Sequence, residues 1–184
     1  MTSPIALTTR PRPSLPLLPG PPIAGLALAQ GRVHEGCGPA RRTLGAMVAG
    51  ACSGPVLWIA PGWEGGRLLP AGLAALADPG RFIFVAARRA EDILWAAEEA
   101  LRSGAVPLVV ADLPEPPGLT PVRRLHLAAA AAASTPTGLL LTPGTGGAAG
   151  VESRWHGASD PGGGWRLTRL RARMAPPAAF ALAA

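Results

Sequence analysis

The chain has 184 residues, 48% of them hydrophobic, and a formal net charge of +6. That length suits one domain able to build its own core, without the disulfide or metal staples that much shorter chains need. Cys37 and Cys52 have neither metal-ligand nor disulfide-framework spacing, and Pro or Gly breaks every apolar run before the ~18 residues that suggest a membrane helix.

All 17 basic residues are arginine, a bias that fits GC-rich codons, so functional weight rests on where the arginines fall. Residues 34–150 hold nine arginines and nine acids, which leaves the positive excess in 1–33 and 151–184. Basic ends on a neutral body suit contact with nucleic acid or an acidic protein.

Residues 1–30 are Pro-rich and read as an extended or loosely docked arm. Arg10 and Arg12 precede an apolar stretch ending in Ala27-Leu28-Ala29, as in a signal peptide, but Pro13, Pro16, Pro19, Pro21 and Pro22 oppose its helical segment. The compact body spans 31–175. Val33-His34-Glu35 reads as a strand, Thr43–Ala51 as a helix and Val56–Ala60 as a strand stopped by Pro61-Gly62. A short helix over Leu68–Leu76 and a strand over Phe82–Ala86 follow.

The clearest pattern is AEDILWAAEEALRSGAVPLVVAD, from Ala90 to Asp112. Glu91 and Asp92 favour a helix start, Glu98 and Arg102 form an i,i+4 pair, and Gly104 suits a left-handed stop. An apolar strand then ends on Asp112. Thr120 as cap and Pro121 open a further helix through Ala133, and Gly138–Leu141 is another buried strand. Strands alternating with helices predict an α/β fold with a mostly parallel central sheet. After Pro143, Trp155 and Trp165 flank a Gly-rich loop. The segment WRLTRLRARM reads as a terminal β-hairpin, with Leu167, Arg169, Arg171 and Arg173 on one face, or as a helix grouping Leu167, Leu170 and Met174. The Gly loop favours the hairpin. Residues 176–184 read as a mobile tail.

Two places carry candidate chemistry. GCGPARRTL, from Gly36 to Leu44, stands where strand gives way to helix. A phosphate loop of the form G-x-x-x-x-G-K-[ST] uses glycines to close backbone N–H groups on phosphates, a lysine for the β/γ oxygens and a hydroxyl for magnesium. Counted from Gly36, with Gly38 inside the loop, Thr43 takes the hydroxyl position, but Arg41 replaces the second glycine and Arg42 the lysine. The swap is not conservative, so the loop reads as vestigial. Asp112 stands where a magnesium-binding aspartate would. Glu64 is the sole acid near the end of the Val56–Ala60 strand, four residues beyond it. The second place is the basic ending, where Arg166, Arg169, Arg171 and Arg173 are candidates for partner or DNA contact. His34, His126 and His156 share no metal-ligand spacing. The pairs Arg41-Arg42, Arg88-Arg89 and Arg123-Arg124 sit at helix starts, where the dipole disfavours them, which points to anion or partner contacts.

Ser103–Asp112, with the helix before it, resembles the segment of the RecA recombinase that ends in its Walker B aspartate. Within RecA relatives, LWAAEEALRSG from Leu94, RRLHLA from Arg123 and the Trp155…Trp165-Arg166-Leu167 ending are most similar to the ImuA family, SOS-mutagenesis accessory proteins related to the SulA division inhibitors. The resemblance spans roughly residues 25 to 175 and implies a RecA-like, P-loop-type core with a degenerate nucleotide site. It implies a non-catalytic, cytoplasmic accessory protein of translesion synthesis, without cofactor or metal. Its expected partners are an ImuB-type polymerase relative, an error-prone polymerase, RecA and single-stranded DNA. A weak DNA-dependent ATPase using Thr43 and Asp112, and a SulA-like inhibitor, are the alternatives.

Overall fold

A computed structural model describes residues 13–64 and 68–183. The elements run β1 (Ser14–Pro16), β2 (Ala27–Ala29), β3 (Val33–Cys37), α1 (Arg41–Ala51), β4 (Val56–Pro61), α2 (Pro70–Leu73), β5 (Phe82–Ala87), α3 (Ala90–Ser103), β6 (Leu108–Asp112), α4 (Leu119–Ala131), β7 (Thr137–Leu141), β8 (Ser153–Ser159), β9 (Trp165–Ala172) and β10 (Ala178–Leu182). Eight of the strands form one sheet in the order β10-β9-β8-β3-β7-β6-β4-β5. The six from β8 to β5 are parallel, while β9 and β10 add antiparallel pairs at one side. The architecture is α/β with a mixed, largely parallel sheet flanked by helices.

Strands β6 and β7 are mostly apolar because both of their faces are covered, while β3, equally buried, carries His34 and Glu35. Leu108 and Val110 of β6, with Leu139 and Leu141 of β7, face a core shared with Leu44 and Val48 of α1. Val109, Ala111 and Leu140 face the other core, built on Ile93 and Leu101 of α3 and Val122 and Leu125 of α4. Helix α3 ends as its sequence indicates: Gly104 has φ +63, and its N–H donates to Leu101 O.

Four local expectations change. Residues 14–29 are a docked hairpin rather than an arm, because Leu15, Leu17, Leu26 and Leu28 bury against α1 and the sheet. Residues 1–12 lie outside the described region. The expected tail carries β10, which pairs with β9 and lays Phe180 against Trp155. Helix α4 starts after Gly118, with Thr120 inside its first turn and no side-chain cap; Pro121 is tolerated there because first-turn N–H groups have no helical acceptor. The helix expected over Leu68–Leu76 contracts to one turn with Gly72, a poor helix former, at its centre. Between the two readings of the basic ending, the segment forms a β-hairpin of β8 and β9.

Candidate functional site

The loop between β3 and α1 is short. Gly36 and Cys37 belong to β3 and Arg41–Thr43 to α1, so only Gly38, Pro39 and Ala40 connect them. The Gly38 N–H donates to Gly144 O at 2.9 Å and the Ala40 N–H to Gly157 O at 3.0 Å. Two amides that would face an anion in a phosphate loop are thus occupied by carbonyl groups. Gly38 has φ +90, and a Cβ there would stand 2.5 Å from Gly157 O, so this glycine is required by both conformation and space. Gly36 is packed tightly between Leu141 and Leu44.

Strand β6 delivers Asp112 to the same end of the sheet. Its side chain is 2% exposed and meets both arginines of α1, Arg42 Nε at 2.5 Å and Arg41 Nε at 3.4 Å. Arg42 also donates from its terminal nitrogen to Glu64 Oε2 at 3.0 Å. Burial works against the Arg42 charge, but Asp112 and then Glu64 outweigh it and hold the guanidinium pKa above its usual value. Arg42, Asp112 and Glu64 are therefore one ion-paired cluster, with Arg41 at its side. Thr43 is half-buried nearby and makes no side-chain hydrogen bond among the described residues. A cavity of about 330 Å³ opens beside the cluster, walled by Trp58, Ala60, Leu68 and Phe84.

The cluster accounts for one odd arginine pair at a helix start, and other pairings account for the rest in part. Arg89 reaches Asp92 at 2.9 Å, and Arg124 crosses from α4 to Glu98 of α3 at 2.7 Å. Opposite charges from the same helix or a neighbouring one thus offset the dipole cost.

The four arginines of the basic ending do not share a face. Leu167 and Arg169 both point inward. A β-bulge then sets Arg154 opposite Arg171 but Trp155 opposite Arg169, which breaks the alternation and leaves both Leu170 and Arg171 exposed. Arg169 is only 8% exposed. It donates to Pro176 O at 2.9 Å and Gly25 O at 2.8 Å, and its guanidinium lies 5.5 Å from the Trp155 ring centre and 5.9 Å from that of Phe180. It is an internal tie, not a surface contact. Arg166 pairs with Asp160 at 3.2 Å near the hairpin turn. Arg171 and Arg173 instead line a recess at the far end of β9 with Arg32, His126 and Glu152.

Two buried polar networks escape sequence reasoning. Glu35 is fully buried and accepts from Thr142 Oγ1 at 2.6 Å, from the Gly147 N–H at 2.8 Å, from the Ala148 N–H at 3.0 Å and from Arg154. It pins the loop between β7 and β8. His34 donates from Nε2 to Ala29 O at 3.0 Å, so Nδ1 accepts from Ser153 Oγ at 2.7 Å, and Trp155 Nε1 donates to the same oxygen at 2.9 Å. Burial drives the His34 pKa down to about 4. Burial, then the Glu35 charge, pushes the Cys37 thiol up to about 11, away from nucleophilic use at neutral pH.

Among the described residues no group of His, Cys, Asp and Glu could hold a metal ion, and no helix is long and apolar enough to cross a membrane. The chain matches no protein-family model and no curated protein.

Proposed function

We propose that the chain is a non-catalytic RecA-like accessory protein of damage-induced mutagenesis, an adaptor for an ImuB-type polymerase relative and an error-prone polymerase. The observation that carries this reading is the Arg42–Asp112–Glu64 cluster. A hydrolase of this type leaves its aspartate free for magnesium and keeps a lysine for phosphate. Here the aspartate is neutralised by two guanidinium groups from α1, and lysine is absent from the whole sequence. A retained sheet without that chemistry suits partner binding, although function is carried by sites and not by the fold.

The test joins two measurements on the full chain. Turnover of ATP with magnesium, with and without single-stranded DNA, is expected to stay at background. Affinity capture from DNA-damaged cells is expected to retain the ImuB-type protein. Turnover that disappears on Asp112→Ala overturns the non-catalytic reading, and capture of cell-division components in place of polymerase components overturns the adaptor.

A further inference from the structure

The recess holding Arg171 and Arg173 lies at the end of the sheet opposite Asp112. Arg32 immediately precedes β3, Glu152 immediately precedes β8, and Ala172 at the end of β9 pairs with Ser153 at the start of β8. Helix α4 closes one side with His126, whose Nδ1 accepts from the Val33 N–H at 3.3 Å and whose Nε2 donates to Gly150 O at 3.2 Å. The recess has a volume of about 330 Å³.

Its charge is unbalanced. Most described arginines are satisfied elsewhere, as with Arg42 on Asp112, Arg124 on Glu98 and Arg154 on Glu35. Arg171 and Arg173 meet no carboxylate among the described residues, and the single acid of the recess, Glu152, stands 3.8 Å from Arg32. Three guanidinium groups against one carboxylate, with His126 neutral, leave about two positive charges converging on one concavity. Burial, together with Arg32 and Arg173, lowers the His126 pKa, so the imidazole does not add to this charge at neutral pH.

We propose that this recess is an anion site for a dianionic phosphoryl group, whether free phosphate or the terminal phosphate of a nucleic-acid strand. Charge decides the class: a phosphate monoester dianion balances the surplus, and a single carboxylate leaves half of it. Guanidinium forks match phosphate oxygens in bidentate geometry. No Trp or Phe side chain lines the recess, and its one ring, His126, is held at both nitrogens by backbone groups, so it offers no extended stacking platform for bases. The inference is independent of the adaptor reading.

His126 supplies the probe, because its ring touches the recess and is hydrogen-bonded at both nitrogens. The full chain is titrated with inorganic phosphate, with 5′-phosphorylated and 5′-hydroxyl oligothymidylate, and with an oligoglutamate peptide, following the His126 ring resonances by NMR. Saturable shifts with phosphate and with the 5′-phosphorylated strand are expected. Arg171→Gln with Arg173→Gln should weaken both at least tenfold, while Arg166→Gln leaves them unchanged, each variant being checked for folding by circular dichroism. Tighter binding of the 5′-phosphorylated strand than of free phosphate assigns a nucleic-acid source, and the reverse a small-molecule source. Equal binding of the 5′-hydroxyl strand, binding of oligoglutamate alone, no saturable shift, or full affinity in the folded double variant overturns the proposal.

Discussion

Arg42 and Asp112 lie 70 residues apart in the chain and meet at 2.5 Å, joining the start of α1 to the end of β6. Without Arg42 the buried Asp112 keeps only the longer contact to Arg41, and without Asp112 the half-buried Arg42 keeps only Glu64. Arg42→Ala and Asp112→Ala should each cost about 2 kcal/mol. The double variant should cost less than their sum, with a coupling of about 1–3 kcal/mol. Urea unfolding of the four proteins measures that coupling, and strict additivity would show that the pair does not act as a unit.

His34 makes stability depend on pH. Its folded pKa of about 4 lies below the ordinary 6.5, so the unfolded chain binds the extra proton between these values. Stability should therefore rise with pH across that window, be fully present above about 6.5 and be lost as pH falls toward 4, a change of about 3 kcal/mol. Burial also lowers the His126 pKa, which adds in the same direction. Denaturation curves from pH 4 to 7 test the slope, and His34→Gln should flatten it. A His34 ring that titrates near 6.5 by NMR would contradict this account.

Arg169 should behave as a structural residue. Arg169→Ala removes two hydrogen bonds to backbone carbonyls and two cation–π contacts, and should cost about 2–4 kcal/mol. Hydrogen exchange should accelerate in β10 and around Gly25 while α3 and α4 stay protected. Unchanged exchange in β10, with a cost below about 0.5 kcal/mol, would return Arg169 to the surface.

The docked hairpin can be tested the same way. Leu28 is completely buried, in the core that α1 and one face of the sheet share. Leu28→Ala should cost about 2–5 kcal/mol, as a cavity-forming change in a packed core does. A cost below about 0.5 kcal/mol, the range of surface changes, would fit a loosely docked arm instead.

The contrast between those leucines and the Ala90–Asp112 segment shows what the sequence carries. Helix α3 announces itself locally, by charge at both ends and by Gly104, and β6 by an unbroken apolar run. Strands β1 and β2 have three residues each, too few for alternation to emerge from a proline-rich background, and their leucines are fixed by α1 rather than by neighbours in sequence. Strand β10, with the sequence AAFAL, has two large side chains among alanines and gains its identity by pairing with β9. Asp112 was legible as a strand-end acid, but its partners were not, because ion pairing across 70 residues leaves no periodic trace. The inward turn of Arg169 was hidden for another reason: the bulge beside it shifts the strand phase, and the carbonyls it satisfies carry no side-chain signature.

The position of β3 has a consequence for synthesis. This is the first strand of the large sheet to be made, yet its neighbours are β7 and β8, so Val33 waits for Gly138 and Glu35 for Arg154. At roughly 5–20 residues per second, translation needs at least five seconds to supply the first of these partners. During that interval the nascent chain holds a strand with both edges open and with His34 and Glu35 still without their partners, together with leucines whose own partners are still incomplete. Such a chain is open to non-native contacts until β7 and β8 emerge, and slower decoding of the stretch before residue 137 lengthens that exposure.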